Sequence, residues 1–256
     1  MKIITAFFMA WGNFITIPCP YKRWDNNLKN LMLAFLPSIG VVVGLVWCIA
    51  YALMEWGFGI FSIPVMLKAF VMEIVIFYVC GFMHMDGFMD CNDAIMSRRD
   101  LAERQRILKD STVGAFAVLT AIFLLMGWFA SLVSVYEVLD PGILLIIPVI
   151  SRSVGGLGVL YYTPIGHSQY AQDFKAPSKW KYRSVIGIQM VAVLIIAVLL
   201  SGNKIGVIVI AAVMEAAGLI ACAYARKQLG GMSGDVAGYT ICVSEIAGII
   251  TAAVIL

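Results

Sequence analysis

Long apolar stretches separated by short polar ones set the rhythm of this chain. Seven runs stand out: Leu31 to Met54, Phe61 to Phe82, Val113 to Tyr136, Gly142 to Thr163, Ser184 to Ser201, Ile205 to Tyr224 and Val236 to Leu256. Each is close to the roughly 20 residues that cross about 30 Å of hydrocarbon as a helix. A helix in a soluble core rarely stays apolar all round for so long. The pattern predicts an all-α, polytopic membrane bundle of about seven transmembrane helices, one domain over 1–256. The opening stretch, Met1 to Pro18, is apolar but broken by Gly12, Asn13 and Pro18. It is expected to lie in the interface or to re-enter the protein. It is not expected to be a cleaved signal, since Lys2 is its one charge and no small-residue cleavage site follows. Tyr51 to Gly59 reads as an interfacial turn.

Composition agrees. The chain is 62% hydrophobic and 13% charged, with mean hydropathy +0.94, against roughly 45–50% and about 25% in soluble domains. The net charge of +3 is small and reads as loop bias, not as a nucleic-acid surface. The six cysteines form no C-x-x-C pair, so neither a disulfide framework nor a zinc site is expected. Fourteen Lys and Arg fall in segments 22–30, 83–112, 164–183 and 225–235, while the alternate loops hold only Lys204. That separation predicts a multi-pass cell-membrane protein with the 83–112 loop in the cytoplasm and the C-terminus outside. The run Gly155, Gly156, Gly158 reads as helix packing.

Candidate chemistry is concentrated after the second run. On a helix, Asp86, Asp90 and Asp93 stand at i, i+4 and i+7 and share one face. Three like charges repel unless a cation neutralises them, and carboxylate oxygens suit Mg²⁺, which shares its shell with water and substrate phosphates. His84, two residues earlier, is a candidate acid–base or hydrogen-bonding group. Further on, Asp110 is a candidate fourth carboxylate, beside Lys109, Ser111, Arg104 and Arg106. The bases are suited to phosphate oxygens, although positive-inside bias accounts for some of them equally well. Acids for metal and bases for phosphate together suggest a diphosphate substrate.

Charges inside the apolar runs, Lys68, Glu73, Arg152, Glu215 and Glu245, are expected to face the interior or a wet cavity. Arg152 calls for an anionic partner, and Lys68 is a candidate partner for Glu73. Glu73 lies three helical turns before His84 and is expected on the same face. The Gly-rich connector before the last run ends in Asp235, one more acid on the expected cytoplasmic side. His167 reads as incidental.

These residues also resemble a known family. Gly81-Phe-Met-His84-Met-Asp86-Gly87-Phe-Met-Asp90-Cys-Asn-Asp93-Ala is similar to the central signature of the cobalamin synthases, or adenosylcobinamide-GDP ribazoletransferases. Phe14-Ile-Thr-Ile-Pro18-Cys-Pro20, Ile107 to Phe116, Ser151-Arg152 and Gly230 to Gly238 resemble further blocks in the family's order. The opening block lacks an expected arginine, and Cys242 stands where a glutamate is expected. The resemblance implies transfer of the adenosylcobinamide-phosphate group from adenosylcobinamide-GDP to α-ribazole or its 5′-phosphate, with GMP released. In that reading Asp86, Asp90, Asp93 and Asp110 hold Mg²⁺. His84 or a carboxylate takes the hydroxyl proton. Arg104, Lys109, Ser111, Arg152 and Asp235 contact substrate. A homo-oligomer or a complex with other cobalamin-assembly enzymes is compatible with it. The alternatives are a CDP-alcohol phosphatidyltransferase, whose Ala-Arg is absent after Asp86-Gly87, a prenyltransferase, and a transporter, for which no repeated halves are visible.

Overall fold

The computed structural model describes residues 1–57, 63–166 and 179–256. The expected start of the second run at Phe61, together with His167 and Lys175, lies outside them. The described residues are helical apart from short connectors. The helices are α1 (Lys2–Phe14), α2 (Lys29–Ala34), α3 (Leu36–Gly57), α4 (Val65–Val79), α5 (Met83–Met96), α6 (Leu101–Ile107) and α7 (Ala115–Val135), then α8 (Pro141–Tyr161), α9 (Lys179–Leu200), α10 (Lys204–Leu229) and α11 (Gly234–Ile255). Six of them, α3 and α7 to α11, are long and apolar enough to cross a membrane, and the bent pair α4–α5 makes up to seven. The expected all-α polytopic bundle is therefore present. α1, with 13 residues, is too short to span. α3 continues to Gly57, so the turn read at Tyr51 to Gly59 is helical through that residue.

α8 is the axis of the bundle. It packs against α3, α9, α10 and α11, and nearly all its residues are buried. Small residues permit the approach: Gly40 and Gly44, one turn apart on α3, lie against the α8 backbone at Pro148–Val149 and Leu144–Leu145. The outer helices leave large apolar side chains uncovered, among them Phe123, Ile188, Leu199, Ile220 and Val254. Such a belt is stable only against lipid.

Arg152, on α8, is 1% exposed. It donates to Glu245 Oε1 on α11 at 2.6 Å, to Pro148 O at 3.0 Å and to Cys80 Sγ at 2.9 Å, while Ser151 Oγ donates to the same glutamate oxygen at 2.9 Å. The expected anionic partner is thus Glu245. The expected Lys68–Glu73 pair does not form. Five residues apart on α4, the two side chains point about 140° away from each other round the helix. Lys68 instead meets Glu55 at 3.0 Å, and Tyr136 Oη donates to the same carboxylate at 3.1 Å.

The second run is not one helix. Gly81 and Phe82 both take left-handed backbone, at φ 61° and 57°, and α5 leaves α4 at 87°. The alignment of Glu73 with His84 is therefore lost, because the helical register does not survive the break. α4 lies in the apolar layer. α5 turns away from it, and its polar run of Asp86, Asp90, Asn92 and Asp93 argues that it lies beyond the apolar spans.

Candidate active site

The break at Cys80–Phe82 is held from outside. Thr16 N donates to Val79 O at 2.8 Å and Thr16 Oγ1 donates to Tyr78 O at 3.1 Å, so the segment after α1 binds the last carbonyls of α4. From Met83 onward, α5 lies against the start of α11 with almost no space between backbones. A Cβ on Gly87 would stand 2.8 Å from Asp235 Cα, and one on Gly238 would stand 3.0 Å from His84 O. These two glycines set the distance between the Asp86–Asp90 ladder and Asp235.

The turn before α11 is fixed in its own way. Ser233 Oγ accepts from Val236 N at 3.2 Å as the N-cap and donates to Asp235 Oδ2 at 3.2 Å. Ile165 N donates to Met232 O and Met232 N to Thr163 O, both at 2.9 Å, tying the end of α8 to this turn.

Asp86 is exposed, while Asp90, Asp93 and Asp235 are half-buried. Burial, then the charges of Asp86, Asp235 and Asp93, push Asp90 up to about 6. The four carboxyls thus act on one another, as the i, i+4, i+7 spacing implies for three of them. They do not form a closed cage: no three His, Cys, Asp or Glu side chains among the described residues stand close enough to hold an ion between them. Asp93 leans toward the first turn of α7, where it accepts from Ala117 N at 3.3 Å with its carboxylate against the Cα of Gly114.

A cavity of 180 Å³ opens beside the ladder, lined by His84, Asp86, Asp235 and Gly238 together with Phe14 and Leu36. His84 is 8% exposed, and its Nε2 is buried without a hydrogen-bond partner.

The other sequence-predicted residues are placed differently. Asp110 hydrogen-bonds locally, to Thr112. It accepts from Thr112 N at 3.0 Å and Thr112 Oγ1 at 2.7 Å, closing its own turn, and these bonds hold its carboxyl below the usual range. Lys109 and Ser111 are exposed in the same turn, five and three residues ahead of Gly114. Arg104 donates to Gln228 O at 3.3 Å and to the Gln228 side chain, and Gln105 donates to Leu229 O at 2.9 Å. Both cap the C-terminal end of α10. Arg152 has no exposed donor, being enclosed by Glu245, Cys80 and Pro148. Sequence reasoning missed Gly114 as the contact of Asp93 and missed Gly87 and Gly238 as spacers. Their signal was a glycine inside or facing a charged helix.

Fold and site together define an integral membrane enzyme with an acidic cavity at one end of its spans. The chain belongs to the cobalamin-5-phosphate synthase family, whose model matches residues 6–253. It is similar to adenosylcobinamide-GDP ribazoletransferases. Identity is 34% over the whole of both chains for that of Clostridium perfringens (strain 13 / Type A), and 35% over 98% of each for that of Clostridium botulinum (strain Alaska E43 / Type E3). That of Geobacillus kaustophilus is 32% identical over 92% of this chain and 90% of its own. No solved structure matches.

Proposed function

We propose that this protein transfers adenosylcobinamide phosphate from adenosylcobinamide-GDP to the ribose hydroxyl of α-ribazole or its 5′-phosphate. The hydroxyl oxygen bonds to the phosphorus that carries cobinamide, the bond from that phosphorus to GMP breaks, and the hydroxyl proton leaves to a base. The observation that carries this reading is the grouping of Asp86, Asp90, Asp93 and Asp235 beside a cavity, in a chain of this family.

The donor set fits Mg²⁺. All four groups offer hard oxygens, and their mutual repulsion calls for a cation. An open arrangement suits an ion that keeps water and substrate phosphates and takes only one or two carboxylates from the protein. One or two of Asp86, Asp90 and Asp235 would hold it, and when bound it would offset charge on the diphosphate. Asp110, committed to its own turn, is left out of this set.

The protein's own groups have distinct parts. Asp93 anchors the first turn of α7, which follows the Lys109–Ser111 turn by a few residues. Lys109 offers a mobile ammonium for phosphate. His84, with an unpartnered Nε2 in the cavity wall, is placed to accept the hydroxyl proton or a hydrogen bond. Arg152 acts at a distance by fixing α8 to α11. Arg98, Arg99, Arg106, Lys109, Arg226 and Lys227 all belong to the elements at this end, which supports a cytoplasmic active site.

The test is GMP release by purified protein in nanodiscs, with and without Mg²⁺. Asp90→Asn should abolish release while the protein stays folded. Retained turnover in that variant would refute the acidic site, and turnover of CDP-lipid precursors or prenyl diphosphates with none of adenosylcobinamide-GDP would refute the substrate.

A further inference from the structure

A second cavity, of 420 Å³, lies between the later turns of α1 and the segment 15–24, lined by Phe8, Gly12, Tyr21, Lys22, Arg23 and Trp24 among others. The sequence explains Lys22 and Arg23 as topological charges, yet their setting is a built one. Trp11 Nε1 donates to Ile17 O at 2.9 Å, and Cys19 Sγ lies 3.4 Å from Phe8 O and 3.2 Å from Tyr21 O. With the two Thr16 bonds to α4, these contacts hold the whole segment in one shape. The Tyr21 ring packs on Phe8 at 5.5 Å between centroids, and the Arg23 guanidinium lies 5.8 Å from the Tyr21 ring centre. Trp24 is 55% exposed at the rim. Among the described residues, no acidic one lines the groove. Asp25, next in sequence, is occupied in capping its own turn through Asn27 N at 2.9 Å. The groove also adjoins the acidic cavity: Phe14 lines one and Ile15 the other.

A fixed groove lined by two cations and by the rings of Tyr21 and Trp24, with Arg23 over Tyr21, suits a ligand that is both anionic and flat. We propose that this groove binds the phosphate ester of an aromatic nucleoside, with Lys22 and Arg23 on the phosphate and Tyr21 and Trp24 beside the base. This rests on the transferase reading, in which donor and acceptor both carry such a unit, and it gives that unit a place outside the acidic ladder.

The experiment uses the full chain in phosphatidylcholine nanodiscs with GMP, α-ribazole 5′-phosphate or inorganic phosphate as probe. Replacing both Lys22→Ala and Arg23→Ala should weaken one nucleotide about tenfold or more and raise KM for the matching substrate, with kcat nearly unchanged. Exchanging the two cations, Lys22→Arg with Arg23→Lys, should restore most of the affinity. The nucleotide whose affinity falls identifies the source of the unit. In the unaltered protein that nucleotide should slow acylation of Lys22 severalfold, and inorganic phosphate should do so less. Unchanged nucleotide affinity in the folded alanine pair would overturn the proposal, as would an unchanged Lys22 acylation rate at saturating nucleotide. Equal protection by phosphatidylglycerol alone would assign the groove to lipid and overturn it too. Asp90→Asn should keep this binding while losing turnover, so failure of the reaction reading and failure of the groove reading remain separate.

Discussion

Gly87→Ala tests whether the spacing of α5 and α11 sets activity. A methyl at that position would lie 2.8 Å from Asp235 Cα, 2.9 Å from Asp235 O and 3.2 Å from Asp235 C. All three are backbone atoms and cannot rotate aside. Carbon atoms in contact prefer about 3.5–4.0 Å, so the helices must part by several tenths of an ångström to about 1 Å. Overpacking of this kind costs about 1–3 kcal/mol. The larger effect is expected on chemistry, because α5 carries Asp86 and Asp90 and α11 carries Asp235. A misplacement near 1 Å is worth about 10²-fold in rate. The assay is GMP release by purified protein in nanodiscs, read beside thermal unfolding. Gly187→Ala on α9 is the control, since a methyl there meets nothing within 4 Å. If Gly87→Ala turned over within about threefold of the unaltered protein, well short of the rate loss that such misplacement implies, helix spacing would not control the site.

Two further outcomes follow from groups that the fold brings together. Arg152→Met leaves Glu245 buried and unpaired and should cost about 3–5 kcal/mol, while the double change Arg152→Met with Glu245→Leu should recover most of it; thermal unfolding in a fixed detergent decides, and equal losses in both would refute a structural pair. Asp90 is raised from 3.8 to about 6, so folding favours its protonated form: in metal-free buffer the penalty is absent below 3.8, grows as pH rises through that window and is complete above about 6. The melting temperature of the unaltered protein should therefore fall across that range relative to Asp90→Asn, and Mg²⁺ at neutral pH should restore it; parallel pH profiles for the two proteins would refute the repulsion.

The spans were legible because lipid leaves a helix no alternative to apolar length, and the alternate-loop charges are independent of that length. The Asp86–Asp90–Asp93 ladder was legible because helical spacing alone puts the three on one face. The break at Gly81–Phe82 was not, since hydropathy runs through it unaltered and the left-handed pair shows only as one glycine beside a phenylalanine. Nor was the choice of Glu55 over Glu73 for Lys68, which depends on how α3 lies against α4. Asp235 joins the acids through a tertiary approach that only Gly87 and Gly238 hint at. Asp93 and Arg104 show the converse: residues read as chemistry also hold helix ends, because a carboxylate suits an N-terminus and a guanidinium suits a C-terminus.

The shortness of α4 has a consequence for the bilayer itself. Fifteen residues rise about 22 Å, several ångströms less than typical hydrocarbon thickness. A mismatch of a few ångströms is met at small cost by local thinning of the bilayer or by flanking polar residues that reach the interface. Either response would bring the headgroup level closer to α5, the helix that carries Asp86, Asp90 and Asp93.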